Sequence, residues 1–194
     1  DKALAVDKDR ADVLVKKGEA YNRLGMPQEA ILMYEKALGV RNDYYIAYFL
    51  MGVTYKHLDE YQLALEAFDC YINAVPKVPE AYVERAEVLQ FMQRYEEAKE
   101  DCDQALVLRP QFGSACYRKS LILCELGKYD EAIEILEKLL DDEEFCDIAG
   151  YFKGVALKNL GRYEEALEYV DGYITKYPGY REPYLEKADI LIAL

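Results

Sequence analysis

The chain has 194 residues, of which 52% are apolar, so it can bury a continuous core. Its 37 acidic and 24 basic residues give a formal net charge of -13, which repels nucleic acid and anionic membrane surfaces alike. No apolar run approaches the roughly 18 residues of a membrane-spanning helix, and the first residues lack a signal-peptide pattern, so we expect a cytoplasmic protein with neither membrane nor nucleic acid as a partner.

From residue 11 onward, apolar residues recur at intervals of three and four, which is typical of amphipathic helices. Leu14, Gly18 and Tyr21 predict a first helix, and Ala30 and Tyr34 predict a second one after a short turn. The first 44 residues therefore contain a helical hairpin.

The same hairpin returns every 34 residues along the chain. The predicted repeats are 11–44, 45–78, 79–112, 113–146 and 147–180, preceded by the end of an earlier second helix (1–10) and followed by the first helix of a sixth repeat (181–194). The chain is thus predicted to be one array with no strands.

Two columns of small residues run through this alignment. One consists of Gly18, Gly52, Ala86, Ser120, Gly154 and Ala188, and the other of Ala30, Ala64, Ala98, Ala132 and Ala166. Small side chains allow two helices to cross closely, so we expect both columns to lie in the core.

These columns resemble the tetratricopeptide repeat family, whose pattern is a 34-residue helix-turn-helix unit. The resemblance covers the whole chain and implies an all-α, right-handed superhelical solenoid that acts as a protein–protein interaction scaffold. One departure is the acidic stretch 141–144, which replaces the usual proline link, so we expect the junction between repeats 4 and 5 to be the most irregular.

The resemblance also implies that one face of the first helices lines a concave, peptide-binding groove. The candidate groove residues are Phe49, Val53, Glu84, Glu87, Phe91, Tyr117, Arg118, Leu121, Tyr151, Phe152, Val155, Lys158 and Asn159. Apolar side chains dominate in repeats 4 and 5, whereas repeat 3 contributes glutamates. We therefore expect a protein or peptide partner with apolar anchors and some positive charge. The alternative is that this strip is covered, either by the curl of the superhelix or by a further segment.

A two-carboxylate clamp for chaperone C-termini is known in this family, and its five positions hold Phe49, Val53, Glu84, Ser114 and Arg118 in this chain. Only the last matches the clamp pattern, so a chaperone tail is an unexpected ligand.

No pattern in the sequence indicates catalysis. The five cysteines form no C-x-x-C pair, and the single histidine, His57, has no nearby nucleophile in the sequence. We therefore expect free thiols, no metal, no cofactor and no enzymatic activity. Two other hypotheses stay open, namely a regulatory or targeting domain of a multidomain enzyme and a structural array that self-associates end to end.

Overall fold

A computed structural model describes residues 2–194, with side chains described from Arg10 onward. Eleven helices and no strand are found in residues 2–194, which confirms the predicted all-α fold. The helices are α1 (Lys2–Arg23), α2 (Pro27–Val40), α3 (Ile46–His57), α4 (Tyr61–Ala74), α5 (Pro79–Phe91), α6 (Tyr95–Leu108), α7 (Gly113–Glu125), α8 (Tyr129–Leu139), α9 (Cys146–Asn159), α10 (Tyr163–Lys176) and α11 (Glu182–Ala193).

The chain forms two compact halves, residues up to 94 and residues 95–194, called here the N-terminal half and the C-terminal half. Within each half, consecutive helices pack against each other, from α1 to α5 in the first and from α6 to α11 in the second. Each half is therefore a run of antiparallel helices that share successive interfaces. None of the helices in residues 2–194 has the length and apolar character required to cross a membrane.

The core of each hairpin lies where its two helices cross. All five members of the alanine column are fully buried. A Cβ atom on Gly52 would lie 2.7 Å from the ring of Phe68, and one on Gly154 would lie 3.1 Å from Val170. These contacts explain why the small columns recur, since a larger side chain would force the helices apart. Ala188 on α11 differs from the other members of its column, because it is exposed and not in the core.

The turns inside the hairpins share one backbone conformation. Gly25, Gly127 and Gly161 have φ angles of 72°, 71° and 77°, the left-handed conformation in which glycine commonly ends a helix. Asp59 and Gln93 occupy the same position in repeats 2 and 3 and also have a positive φ of 58°. The turn geometry is thus kept even where the residue is not glycine.

The N-terminal helix differs from the sequence prediction. A break was expected before residue 11, but α1 is one continuous helix from Lys2 to Arg23, so the prediction of a separate stub is wrong. Residues 2–17 contain no Pro or Gly, and nothing therefore ends the helix there. Asp1 lies outside the described residues, and the origin of residues 2–10 in an earlier repeat stays a prediction.

The junction between repeats 4 and 5 is irregular, as the acidic stretch predicted. Helix α8 has 11 residues, whereas α2, α4, α6 and α10 have 14 each. Beyond α8, the Asp142 carboxylate accepts hydrogen bonds from the backbone amides of Glu144 and Phe145, at 2.9 and 3.2 Å. A side chain thus stabilises the turn that replaces the proline link.

Candidate functional site

Four of the candidate groove residues form a partly exposed patch on α7 and α9 in the C-terminal half. This patch, called here the C-terminal apolar surface, consists of Tyr117, Leu121, Phe152 and Val155, which are all half-buried. The rings of Tyr117 and Phe152 pack edge to face with centroids 5.8 Å apart. The patch is therefore anchored to the core but still reaches solvent.

Tyr151 does not belong to this exposed patch. Only 9% of the residue is exposed, and its ring lies 4.9 Å from that of Tyr173 and 5.1 Å from that of Phe152. Burial, followed by the nearby charges of Glu186 and Glu182, raises the pKa of its phenol to about 12. The ring of Tyr151 is thus part of the packing between helices, and its role as a groove residue that contacts the ligand stays a prediction.

A further tyrosine cluster, which the sequence did not single out as a site, extends from Tyr173. Its ring lies 4.9 Å from that of Tyr177, and the Tyr177 hydroxyl donates a hydrogen bond of 2.7 Å to the Asp147 carboxylate. Lys176 also donates to Asp147, at 2.5 Å. These contacts join α9 to the end of α10, so their role is structural.

The glutamates of repeat 3 are already engaged by a lysine from repeat 2. Lys56 Nζ donates hydrogen bonds to Glu84 at 2.6 Å and to Glu87 at 2.7 Å. Burial opposes the charge on Lys56, but the hydrogen bonds to both glutamates outweigh it and raise the lysine pKa. The predicted acidic patch is therefore partly neutralised within the N-terminal half.

The same arrangement recurs three repeats later. Lys158 donates to Glu186 at 2.5 Å and lies 3.8 Å from Asp189. Its neighbour Asn159 is exposed and donates to the backbone oxygen of Val155 at 2.8 Å. Lys158 is thus committed to an internal ion pair.

The remaining candidate residues have different environments. Phe49 is half-buried and packs against the rings of Phe68 and Tyr71, at 5.8 and 5.3 Å. Phe91 is 53% exposed and stacks on Tyr61 with the ring planes 19° apart. Val53 is half-buried on α3 and Arg118 is half-buried on α7. Phe91 is therefore the most exposed aromatic residue among the candidates.

The structure also contains a regular series of ion pairs that sequence reasoning missed. Each joins an acid on a second helix to a base on the following first helix, 16 residues later. The pairs are Asp69–Arg85 (2.5 Å), Asp103–Lys119 (2.6 Å), Glu137–Lys153 (2.8 Å) and Asp171–Lys187 (2.7 Å). The four acids and the four bases each recur every 34 residues, so a search of the repeat alignment for charged columns would have found these pairs.

Among the described side chains, no group of three or more His, Cys, Asp and Glu residues is placed to hold a metal ion. All five cysteines are free thiols, and only Cys70 is exposed. An apolar patch and engaged charges are suited to holding another polypeptide.

Several solved structures share this fold. A tetratricopeptide repeat protein from Parabacteroides merdae has a TM-score of 0.85 at 20% identity, over 95% of this chain and 73% of that chain. PilW, described as a widely conserved type IV pilus biogenesis factor, has a TM-score of 0.84 at 19% identity, over 94% of this chain and 85% of that chain. YrrB, described as a protein of this repeat class with an unusual peptide-binding site, has a TM-score of 0.75 at 21% identity, over 99% of this chain and 95% of that chain.

No curated protein sequence matches the chain significantly. Models of the tetratricopeptide repeat match it over residues 11–44, 83–142 and 117–181, which together make up more than half of its length. The chain therefore belongs to the tetratricopeptide repeat family.

Proposed function

We propose that this chain is a protein-interaction scaffold that binds a peptide or protein segment on the exposed face of its first helices. Tetratricopeptide repeats are generally non-catalytic scaffolds for protein interactions. The peptide-binding site named in the description of YrrB supports a ligand of the same kind for a chain of this fold.

The C-terminal apolar surface is the observation that carries this proposal. On the same two helices, Ile122, Leu123, Ala156 and Leu157 are fully buried, whereas the four residues of the surface keep part of their area exposed. Exposed apolar side chains next to one another typically mark an interaction site. A partner would bury an aromatic or branched aliphatic side chain there.

Charge supports a partner that carries some lysine or arginine. The net charge of -13 creates a field that attracts cationic segments and speeds their association. Glu84 and Glu87 already share Lys56 as a partner. In the proposal, a cation of the ligand binds beside this cluster and contributes mainly to the association rate.

The test is a selection of peptides on the chain from a random library, followed by affinity measurements on two matched variants. Val155→Asn changes the C-terminal apolar surface, and Val107→Asn changes a valine on α6 that is 74% exposed. We expect Val155→Asn to weaken binding by roughly 1–3 kcal/mol and Val107→Asn to leave it unchanged. Equal melting temperatures of the two variants would show that folding is preserved. Equal peptide affinities of the two variants would reject the C-terminal apolar surface as the binding site.

A second candidate function, self-association, is favoured by the exposed apolar residues of α11. Leu185 and Leu191 are each 52% exposed, and Ile192 is 84% exposed. Sedimentation velocity over a range of concentrations would test it. A concentration-dependent oligomer that Ile192→Glu dissociates supports this function, and a monomer at all concentrations rejects it.

A further inference from the structure

A hollow of about 520 Å³ lies at one end of the first two hairpins, within the N-terminal half. It is lined by Asn22, Arg23, Gly25, Pro27, Val53, Thr54, His57 and Leu58. Its volume is within the range of small-ligand sites, roughly 300–1,000 Å³. The side chains of Pro27, Val53 and Leu58 make its walls mainly apolar.

The floor of the hollow is held by hydrogen bonds between three helices. Asn22 Nδ2 donates to Thr54 Oγ1 at 2.8 Å and to the Tyr34 hydroxyl at 3.1 Å, and Thr54 Oγ1 donates to the Leu50 carbonyl at 2.7 Å. Thr54 and Tyr34 are almost completely buried. A ligand would therefore meet a preformed surface, which lowers the entropy cost of binding.

The charge in the hollow is opposite to that of the chain as a whole. Arg23 and His57 are exposed side chains on the lining, and no acidic residue lines it. Neither of the two makes an ion pair or a side-chain hydrogen bond with another described residue. Arg23 and His57 occupy the same position in repeats 1 and 2, and the residues at this position in repeats 3 to 5 are Phe91, Glu125 and Asn159. Two basic residues in neighbouring repeats therefore occur at this position only in the first two hairpins.

We propose that this hollow is a separate binding subsite for an internal peptide motif in which a large aliphatic residue is followed by Asp or Glu. The aliphatic side chain packs against Pro27, Val53 and Leu58. The carboxylate accepts hydrogen bonds from the Arg23 guanidinium and from an N–H of the His57 ring, which both the neutral and the charged imidazole offer. The ligand class deepens the proposed scaffold function, on which it rests, and adds an acidic element to it.

The probes are three capped peptides that differ in one group. Acetyl-Leu-Asp-amide carries both elements, acetyl-Leu-Asn-amide lacks the carboxylate, and acetyl-Gly-Asp-amide lacks the aliphatic side chain. In ¹H–¹⁵N NMR titrations of the full chain at millimolar peptide, we expect shifts at the amides of the lining residues. The first peptide should bind about two- to fivefold more tightly than the Asn peptide, as for an exposed ion pair. It should also bind more tightly than the Gly peptide, which has no side chain to pack against Pro27, Val53 and Leu58.

Two matched variants test the role of the arginine. Arg23→Gln should remove the preference for Asp over Asn, whereas Arg181→Gln, at an exposed arginine outside the hollow, should retain it. The absence of shifts at the lining residues, or equal binding of the Asp and Asn peptides, overturns the proposal. A further control is acetyl-Leu-Asn with a free C-terminal carboxylate. If its affinity exceeds that of acetyl-Leu-Asn-amide by as much as the affinity of the Asp peptide does, the proposal is also overturned, because the site would then recognise a chain end.

These outcomes are distinguishable from the test of the scaffold function, because that test changes Val155 in the C-terminal half. Arg23→Gln should not change the affinity of peptides selected on the C-terminal apolar surface. Val155→Asn should likewise not change the binding of the capped peptides in the hollow.

Discussion

Position 52 has no room for a side chain, because a Cβ atom there would meet the buried ring of Phe68. Gly52→Ala should therefore lower the free energy of unfolding by roughly 1–3 kcal/mol. Gly172 lies inside α10, and a Cβ atom added there would have no neighbour within 4 Å, so Gly172→Ala should raise stability by about 0.5–1 kcal/mol through helix propensity. Urea denaturation, monitored by circular dichroism, measures the free energy of unfolding of both variants. Changes of the same sign in the two variants would contradict the packing of Gly52 against Phe68.

The five thiols differ in how far they are buried, and their reactivity should follow. Burial raises the pKa of Cys102 to about 12 and that of Cys124 to about 11, whereas Cys70 is exposed. Because the thiolate is the nucleophile, iodoacetamide at about pH 8 should modify Cys70 first and Cys102 last in the native protein. Intact mass after unfolding should show five adducts, and a mass deficit of two protons would reveal a disulfide.

The periodicity of the sequence predicts which face of a helix a residue occupies, but not how deeply it is buried. Tyr117 and Tyr151 stand at the same repeat position, yet the former is half-buried and the latter is buried. Tyr173 on α10 supplies the ring that packs on Tyr151. Depth depends on such neighbours in adjacent repeats, which a single column does not show.

At the scale of the helices, the series of ion pairs occupies one register but varies in exposure. The Lys153 side chain is 11% exposed and its ammonium lies 4.7 Å from the ring centre of Tyr169, whereas the Lys187 side chain is 36% exposed. Lys153→Ala should therefore cost roughly 1–3 kcal/mol of stability, because it removes packing as well as charge. Lys187→Ala should cost less than about 1 kcal/mol.

Thermal unfolding of the two lysine variants, side by side with the unmodified chain, is the corresponding measurement. Equal losses would mean that burial does not set the strength of these pairs. A larger loss of stability for Lys187→Ala would contradict the greater burial of Lys153.

The bounds of the helices were predictable where Gly or Pro punctuates the repeat and less so elsewhere. Helices α1, α7 and α9 end two residues before Gly25, Gly127 and Gly161, whose positive φ angles mark the turns. Before residue 11, where the sequence has no such residue, the break predicted from the repeat period alone is wrong. Local chemistry thus decides the end of a helix more directly than the period does.

At the scale of the whole molecule, the period of 34 was sufficient to predict the family and the all-α fold. The pairing of Lys56 with Glu84 and Glu87 was not predicted, because the alignment of columns does not show how far a lysine reaches into the next repeat. The candidate binding face is consequently less acidic, and the C-terminal apolar surface becomes its most specific feature.

Binding of a polypeptide on the exposed face of the first helices can be located by mapping amide shifts in ¹H–¹⁵N NMR spectra while a peptide selected on the chain is added. We predict that the largest shifts fall on α7 and α9, around Tyr117, Leu121, Phe152 and Val155. Shifts confined to the second helices α8 and α10 would contradict this account, because the peptide would then bind the opposite face of the hairpins.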